Sequence, residues 1–233
     1  MRGGISLGRT AGVGLSLTVL CALALGATAW AGSPNIVAID DNYQALNYEI
    51  AEGASATFDN DGNNAHTVTA DDQGPDGKPL FRTGNIPGGE GPVAVPGTEY
   101  LSSGQYPFHC SIHPEMQANL FVFDSPAGPV PRPEISLKVK SKKLEKVVKS
   151  GKLKVRVTAA DPTPADVTLS AKKGTKGITK RASVDVPGGG AKTAKLKLKK
   201  SAVEKLAELE KAKVKVTAEV DFGSPAKASK KLK

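Results

Sequence analysis

The sequence predicts an all-β protein built as two consecutive β-sandwiches. Three observations carry this. Short segments that alternate apolar and polar residues recur along most of the chain after residue 34, with Gly, Pro, Asp or Ser between them. Only one stretch, AVEKLAELEK (202–211), is read as helical. The composition also changes abruptly near residue 125. From 32 to 126, thirteen Asp plus Glu stand against only Lys78 and Arg82, a net of −11. From 127 to 233, twenty-eight Lys plus Arg stand against ten acids, a net of +18. A chain of 233 residues has room for two domains of ordinary size.

Residues 1–31 precede the first domain. Arg2 and Arg9 lead into an uncharged apolar stretch, 11–29, and Ala29-Trp30-Ala31 places small residues where a signal peptidase inspects them. This reads as a secretory signal cleaved before Gly32, so the protein is expected outside the cytoplasm, in a periplasm or cell envelope. The competing reading is a retained membrane anchor, near the lower limit of about 17–25 residues for a span. Cleavage removes Cys21. Cys110 is then the only cysteine, without an internal disulfide partner in an oxidising compartment.

The first domain spans 32–125. Its expected strands are NIVAID (35–40), LNYEIA (46–51), SATFDN (55–60), HTVTAD (66–71), PVAV (92–95), QYPFHC (105–110) and ANLFVF (118–123), with a long Gly- and Pro-rich loop at 73–91. The run YPFHCSIHPEM (106–116) holds two of the chain's three histidines, Cys110, and one of its two methionines. With His66 upstream, the donors are two imidazoles, a thiolate and a thioether. Such a set suits copper in electron transfer, because sulfur favours Cu(I) and imidazole serves both oxidation states. Cys110 ends a strand; two turn residues bring back His113, and two more bring Met116. His109 neighbours Cys110 in an extended strand, so its side chain faces the other way and it is given no ligand role. Zinc is the rival metal, though it more often takes a further Cys, His or carboxylate where Met116 stands. A thiol nucleophile activated by His109 or His113 is the rival enzyme reading. A second, catalytic copper centre would need more histidines than the remaining His109.

HTVTADD and YPFHCSIHPEMQANLFV resemble the copper motifs of the cupredoxin family, the plastocyanin/azurin type of blue copper protein. The short C-x-x-H-x-x-M interval is most similar to amicyanin. The resemblance covers roughly 35–124. It implies a Greek-key β-sandwich with one type I copper held by His66, Cys110, His113 and Met116. It implies one-electron shuttling between redox partner proteins rather than enzymatic bond-making. Three positions depart from the family pattern: Thr67 stands where Asn is common, Ile112 where Pro is common, and Ala118 where Gly is common. An envelope protein that only binds and buffers copper is the alternative.

Residues 126–134 read as a Pro-rich, extended linker. The second domain, 135–222, contains ISLKVK, KLKVRVTA, DVTLSA, RASVDV, AKLKLK and KVKVTAEV. One face of each strand is aliphatic, and the other is largely lysine in most of them. An immunoglobulin-like sandwich is expected, with a helix opened by a Ser201–Glu204 capping box. Residues 223–233 read as a basic, disordered tail. The positive charge suits an anionic envelope polymer or membrane surface, or attraction to the acidic domain. Nucleic acid is disfavoured by secretion and by the lack of an aromatic stacking set.

Overall fold

A computed structural model describes residues 35–160 and 162–233; the expected signal segment lies outside the described residues. The N-terminal lobe contains β1 (Asn35–Ile39), β2 (Asn42–Tyr43), β3 (Asn47–Ala51), β4 (Thr57–Asn60), β5 (Thr69–Ala70), β6 (Glu90–Ala94), β7 (Gly104–His109) and β8 (Gln117–Phe123). They form two four-stranded sheets, ordered β2-β1-β4-β6 and β3-β8-β7-β5. The chain changes sheet at five of the seven connections, which stitches the layers together. Alternation decides the facing: in β8, Ala118, Leu120 and Val122 turn inward. Phe108 is fully buried and stacks edge-on against Tyr43 (ring centroids 4.9 Å) and Phe81 (6.0 Å).

The segment expected as a strand at 66–71 is only partly one. β5 covers two residues, and His66 pairs instead with Ile86 in an isolated antiparallel bridge. The loop 73–91 thus doubles back beside its own start, as its Gly and Pro content allows.

The C-terminal lobe contains β9 (Ile135–Val139), α1 (Leu144–Ser150), β10 (Lys152–Ala159), β11 (Ala165–Lys173), β12 (Lys176–Gly177), β13 (Ala182–Val186), β14 (Ala191–Lys197), α2 (Lys200–Ala207), β15 (Ala212–Val220) and β16 (Ala226–Leu232). One sheet runs β14-β10-β9; the other runs β12-β11-β15-β16, with β13 also on β11. Leu153, Val155 and Val157 of β10 share a core with Val167, Leu169, Val214 and Val216.

Three expectations need correction here. The supposed disordered tail is a strand: β16 pairs with β15 from Ala212↔Leu232 to Ala218↔Ala226, and Leu232 is fully buried. Its inward positions include Ala226, Ala228 and Lys230, so its alternation carries little hydrophobic signal. The Ser201 capping box does not form. Lys199 is the N-cap of α2, without a side-chain cap, and Ser201 lies inside the helix. α1 also stands where only a connection between strands was expected. It buries Leu144 and Val147 at helical spacing and ends at Gly151, whose φ is 62°.

The described residues form one compact unit, and the lobes meet at the β15–β16 turn. The charges that meet there are opposite in sense to the lobes' net charges. Lys78 and Arg82, the only cations counted in the acidic domain, reach Asp221 of the basic one at 2.7 and 3.0 Å. The Arg82 guanidinium lies 4.4 Å from the Phe222 ring centre. Gly97 sits beneath that ring. A Cβ there would come within 2.7 Å of Phe222 and 2.4 Å of the Leu80 carbonyl oxygen. The 126–134 stretch is tied at its middle to both lobes, with Val130 N–H donating to Glu99 O and Thr163 Oγ1 donating to Pro131 O.

Phe222→Ala is expected to open this junction. Small-angle scattering should show a larger radius of gyration and greater sensitivity to salt. The lysine charge of the second lobe would then no longer be held beside the first. An unchanged scattering profile would show that the ring does not hold the lobes.

Candidate metal centre

β7 delivers Cys110 to one end of the N-terminal sandwich. Phe108 and Cys110 share the inward face, while His109 turns outward and meets Asp71 at 2.5 Å. His109 is therefore accounted for by a surface carboxylate, apart from the donor cluster. The turn after Cys110 is locked by two backbone hydrogen bonds. Cys110 N–H donates to Met116 O (3.0 Å), and Met116 N–H donates to His113 O (2.9 Å). Met116 is 1% exposed, so the loop that carries His113 is anchored from beneath.

His66 arrives from the other side. Its N–H and carbonyl both bond Ile86, at 3.0 and 2.9 Å. Asn60, buried at the end of β4, steadies the approach. Its Nδ2 donates to Asn64 O and Ile86 O, both at 2.8 Å. These contacts fix the backbone on both sides of the His66 ring.

His66, Cys110 and His113 converge. Cys110 Sγ lies 3.8 Å from each Nδ1, and the two Nδ1 atoms are 3.2 Å apart. A triangle with those sides has its centre about 2.1 Å from every corner, which matches the 2.0–2.3 Å metal bonds of nitrogen and sulfur ligands. Three lone pairs pointing at one another need a cation or a shared proton between them, and one transition-metal ion fits. His66 and Cys110 are fully buried, whereas His113 remains partly exposed.

The sulfur is prepared for this. Burial pushes the Cys110 thiol up. Hydrogen bonds from Thr67 N–H, the His66 ring and the Ile112 and His113 N–H groups outweigh that and bring it down to about 6. At neutral pH the group is then mainly thiolate, the form that binds metal. The phenol of Tyr43, whose hydroxyl donates to Thr67 O at 2.6 Å, is pushed upward by burial and then by the nearby sulfur. It stays neutral and adds no second anion.

Thr67 bridges the two segments that carry His66 and Cys110. Its Oγ1 accepts from Ser111 N–H at 2.8 Å, and its own N–H donates to Cys110 Sγ at 3.4 Å. The strand of His66 and the loop of Cys110 are thereby tied together. Thr67→Val keeps the N–H bond but orphans the Ser111 N–H. Metal-free protein should lose about 1–3 kcal/mol in denaturant unfolding. A loss below the error of the measurement would show that the hydroxyl is dispensable.

Two features had no sequence signal. The His66 Nε2 is buried with no hydrogen-bond partner among the described residues, although a metal-bound histidine usually donates its other N–H. Asp41 Oδ1 lies 3.6 Å from His113 Nε2, a pairing across residues 72 apart in sequence that no local pattern discloses.

Two sheets closed at one end by His66, Cys110 and His113, with Met116 in the same loop, make a cupredoxin-like lobe. Its donor set fits a blue copper site for a single copper ion. In structure the chain is similar to the purple cupredoxin from Nitrosopumilus maritimus, at 24% identity and a TM-score of 0.31, over 38% of this chain and 98% of that one. It is also similar to a reduced Cu(I) form of an amicyanin variant, at 18% identity and a TM-score of 0.32, over 38% of this chain and 80% of that one. A second Cu(I) amicyanin variant gives 18% identity and a TM-score of 0.33, over 40% and 83%. No family model and no curated protein matches the chain.

Proposed function

We propose that this chain is an extracytoplasmic carrier of single electrons, using one type I copper held by His66, Cys110, His113 and Met116, and that it is not an enzyme. The observation that carries the reading is the convergence of one buried sulfur and two imidazole nitrogens at mutual distances of 3.2–3.8 Å. When bound, copper supplies a one-electron couple. The protein's part is to hold the donors still, so that little moves when the charge changes. The Ile86 bridge to His66, the backbone locks of the 110–116 loop and the Thr67–Ser111 bond do this.

His113 is the edge at which an electron enters or leaves. Its side chain is 23% exposed. Ile112 beside it is 41% exposed, and Ile39, two residues before Asp41, is 42% exposed. An apolar rim of this kind lets a partner approach closely and excludes water. Asp40 and Asp41 add negative charge, which favours a redox partner with a cationic rim.

Cu(II) added to the metal-free protein should give an intense visible colour that a mild reductant bleaches and an oxidant restores. Rapid electron exchange with a small soluble cytochrome is the second expected result. Colour without exchange would favour the buffering reading. A colourless product that holds zinc in preference to copper would overturn both.

A further inference from the structure

The outward face of the β14-β10-β9 sheet carries cations and no carboxylate. Lys154 lies directly opposite Lys195, Lys152 opposite Lys197, and Arg156 opposite Lys138. All six are exposed. Lys140, whose N–H bonds Lys154 O, extends the middle row. Among the described residues, none of these side chains makes an ion pair or hydrogen bond that would neutralise it. These three strands contain no carboxylate. Like charges directly opposite each other on paired strands are destabilising, so this face is held together against its own repulsion. The outer face of the second sheet also sets Lys172 opposite Lys215 and Lys213 opposite Lys231, but it carries carboxylates as well: Asp166 lies opposite Asp185, and Glu219 opposite Thr168.

We propose that this face binds a linear polymer carrying phosphodiester charges without bases, of the polyol-phosphate kind. The pattern of charges carries the choice. Cations repeat about 6.7 Å apart along a strand and about 4.8 Å apart across strands. That grid suits a flexible chain with one anion per short repeat. Six of the seven cations are lysine, a hydrated point charge that does not impose a bidentate geometry. No aromatic residue lies in these strands to stack on a base. The large exposed apolar side chains all lie at or before Val130, so the second lobe offers nothing to insert into a bilayer. The contacts that join the lobes run from Lys78, Arg82, Gly97 and Tyr100 to Asp221 and Phe222 and do not include His113. A polymer held by the basic lobe therefore leaves the His113 edge open.

The test uses the full mature chain without metal, so that its outcome is independent of the copper reading. Poly(glycerol phosphate) binding is measured beside duplex DNA and phosphatidylglycerol–phosphatidylcholine vesicles. Lys138→Glu/Lys154→Glu should weaken polymer binding at least about tenfold. It should also raise the melting temperature, because each carboxylate faces a cation. Lys213→Glu/Lys215→Glu, with the same change in net charge on the other sheet, should weaken binding less than about twofold. Equal losses in the two variants would overturn the proposal in favour of diffuse net charge. So would absence of polymer binding, or tighter binding to DNA or vesicles than to the polymer.

Discussion

Cys110→Ser is expected to abolish the intense visible absorption of the copper-loaded protein and to lower copper affinity by more than about 100-fold. Loss of groups that merely support a ligand already costs 10–100-fold. The sulfur stands at the centre of the site. It is fully buried, lies 3.8 Å from both Nδ1 atoms and receives N–H groups from Thr67, Ile112 and His113. A serine hydroxyl is nearly isosteric but does not ionise near neutral pH, so it offers copper neither a soft donor nor the charge-transfer transition that colours a thiolate complex. The fold should survive, since Cys110 makes no disulfide. Far-ultraviolet circular dichroism and the unfolding midpoint of the metal-free variant check that. A variant that folds and keeps the band would show that another atom provides the colour.

Phe108→Ala should be the most damaging single truncation in the N-terminal lobe, costing about 3–5 kcal/mol in urea unfolding. Phe108 is fully buried and lies within 6.1 Å, centroid to centroid, of three rings: Tyr43, Tyr48 and Phe81. It also precedes Cys110 by two residues on the same face of β7, so a collapse there moves the sulfur. Copper should recover part of the loss. An ion present at 100 times its dissociation constant adds about 2.7 kcal/mol to the state that binds it. A cost below about 1 kcal/mol would mean that the aromatic cluster does not organise this end of the sandwich.

Much of this was legible because the signals were local. The strict alternation in KLKVRVTA and ANLFVF announces strands with one buried face, and those strands form. The grouping of Cys110, His113 and Met116 within seven residues announces a donor loop. His66 could be matched to it because few other donors exist. What escaped was long-range or faint. β16 aligns Ala and Lys where strands usually place large aliphatic residues, so only its pairing with β15 reveals it. α1 spans seven residues and its lysines mask two buried apolar positions. The contacts of Asp41 with His113, of Asn60 with Ile86, and of Phe222 with Arg82 join residues far apart in sequence. Net charge was a poor guide to how the lobes meet, because a contact is decided by the few groups that touch. Asp221 illustrates it. Its carboxyl is held below the usual range, first by the Lys78 hydrogen bond and then by Arg82. A depressed folded value stabilises the junction above the ordinary carboxylate range, and that contribution fades as the pH falls through the folded value.

Copper K-edge X-ray absorption of the protein loaded with one equivalent of copper addresses the metal centre most directly. The expected result is one short copper–sulfur distance and two copper–imidazole distances, with the sulfur shell lost in Cys110→Ser. A coordination shell of nitrogen and oxygen alone, unchanged by that substitution, would place the metal elsewhere and end the assignment.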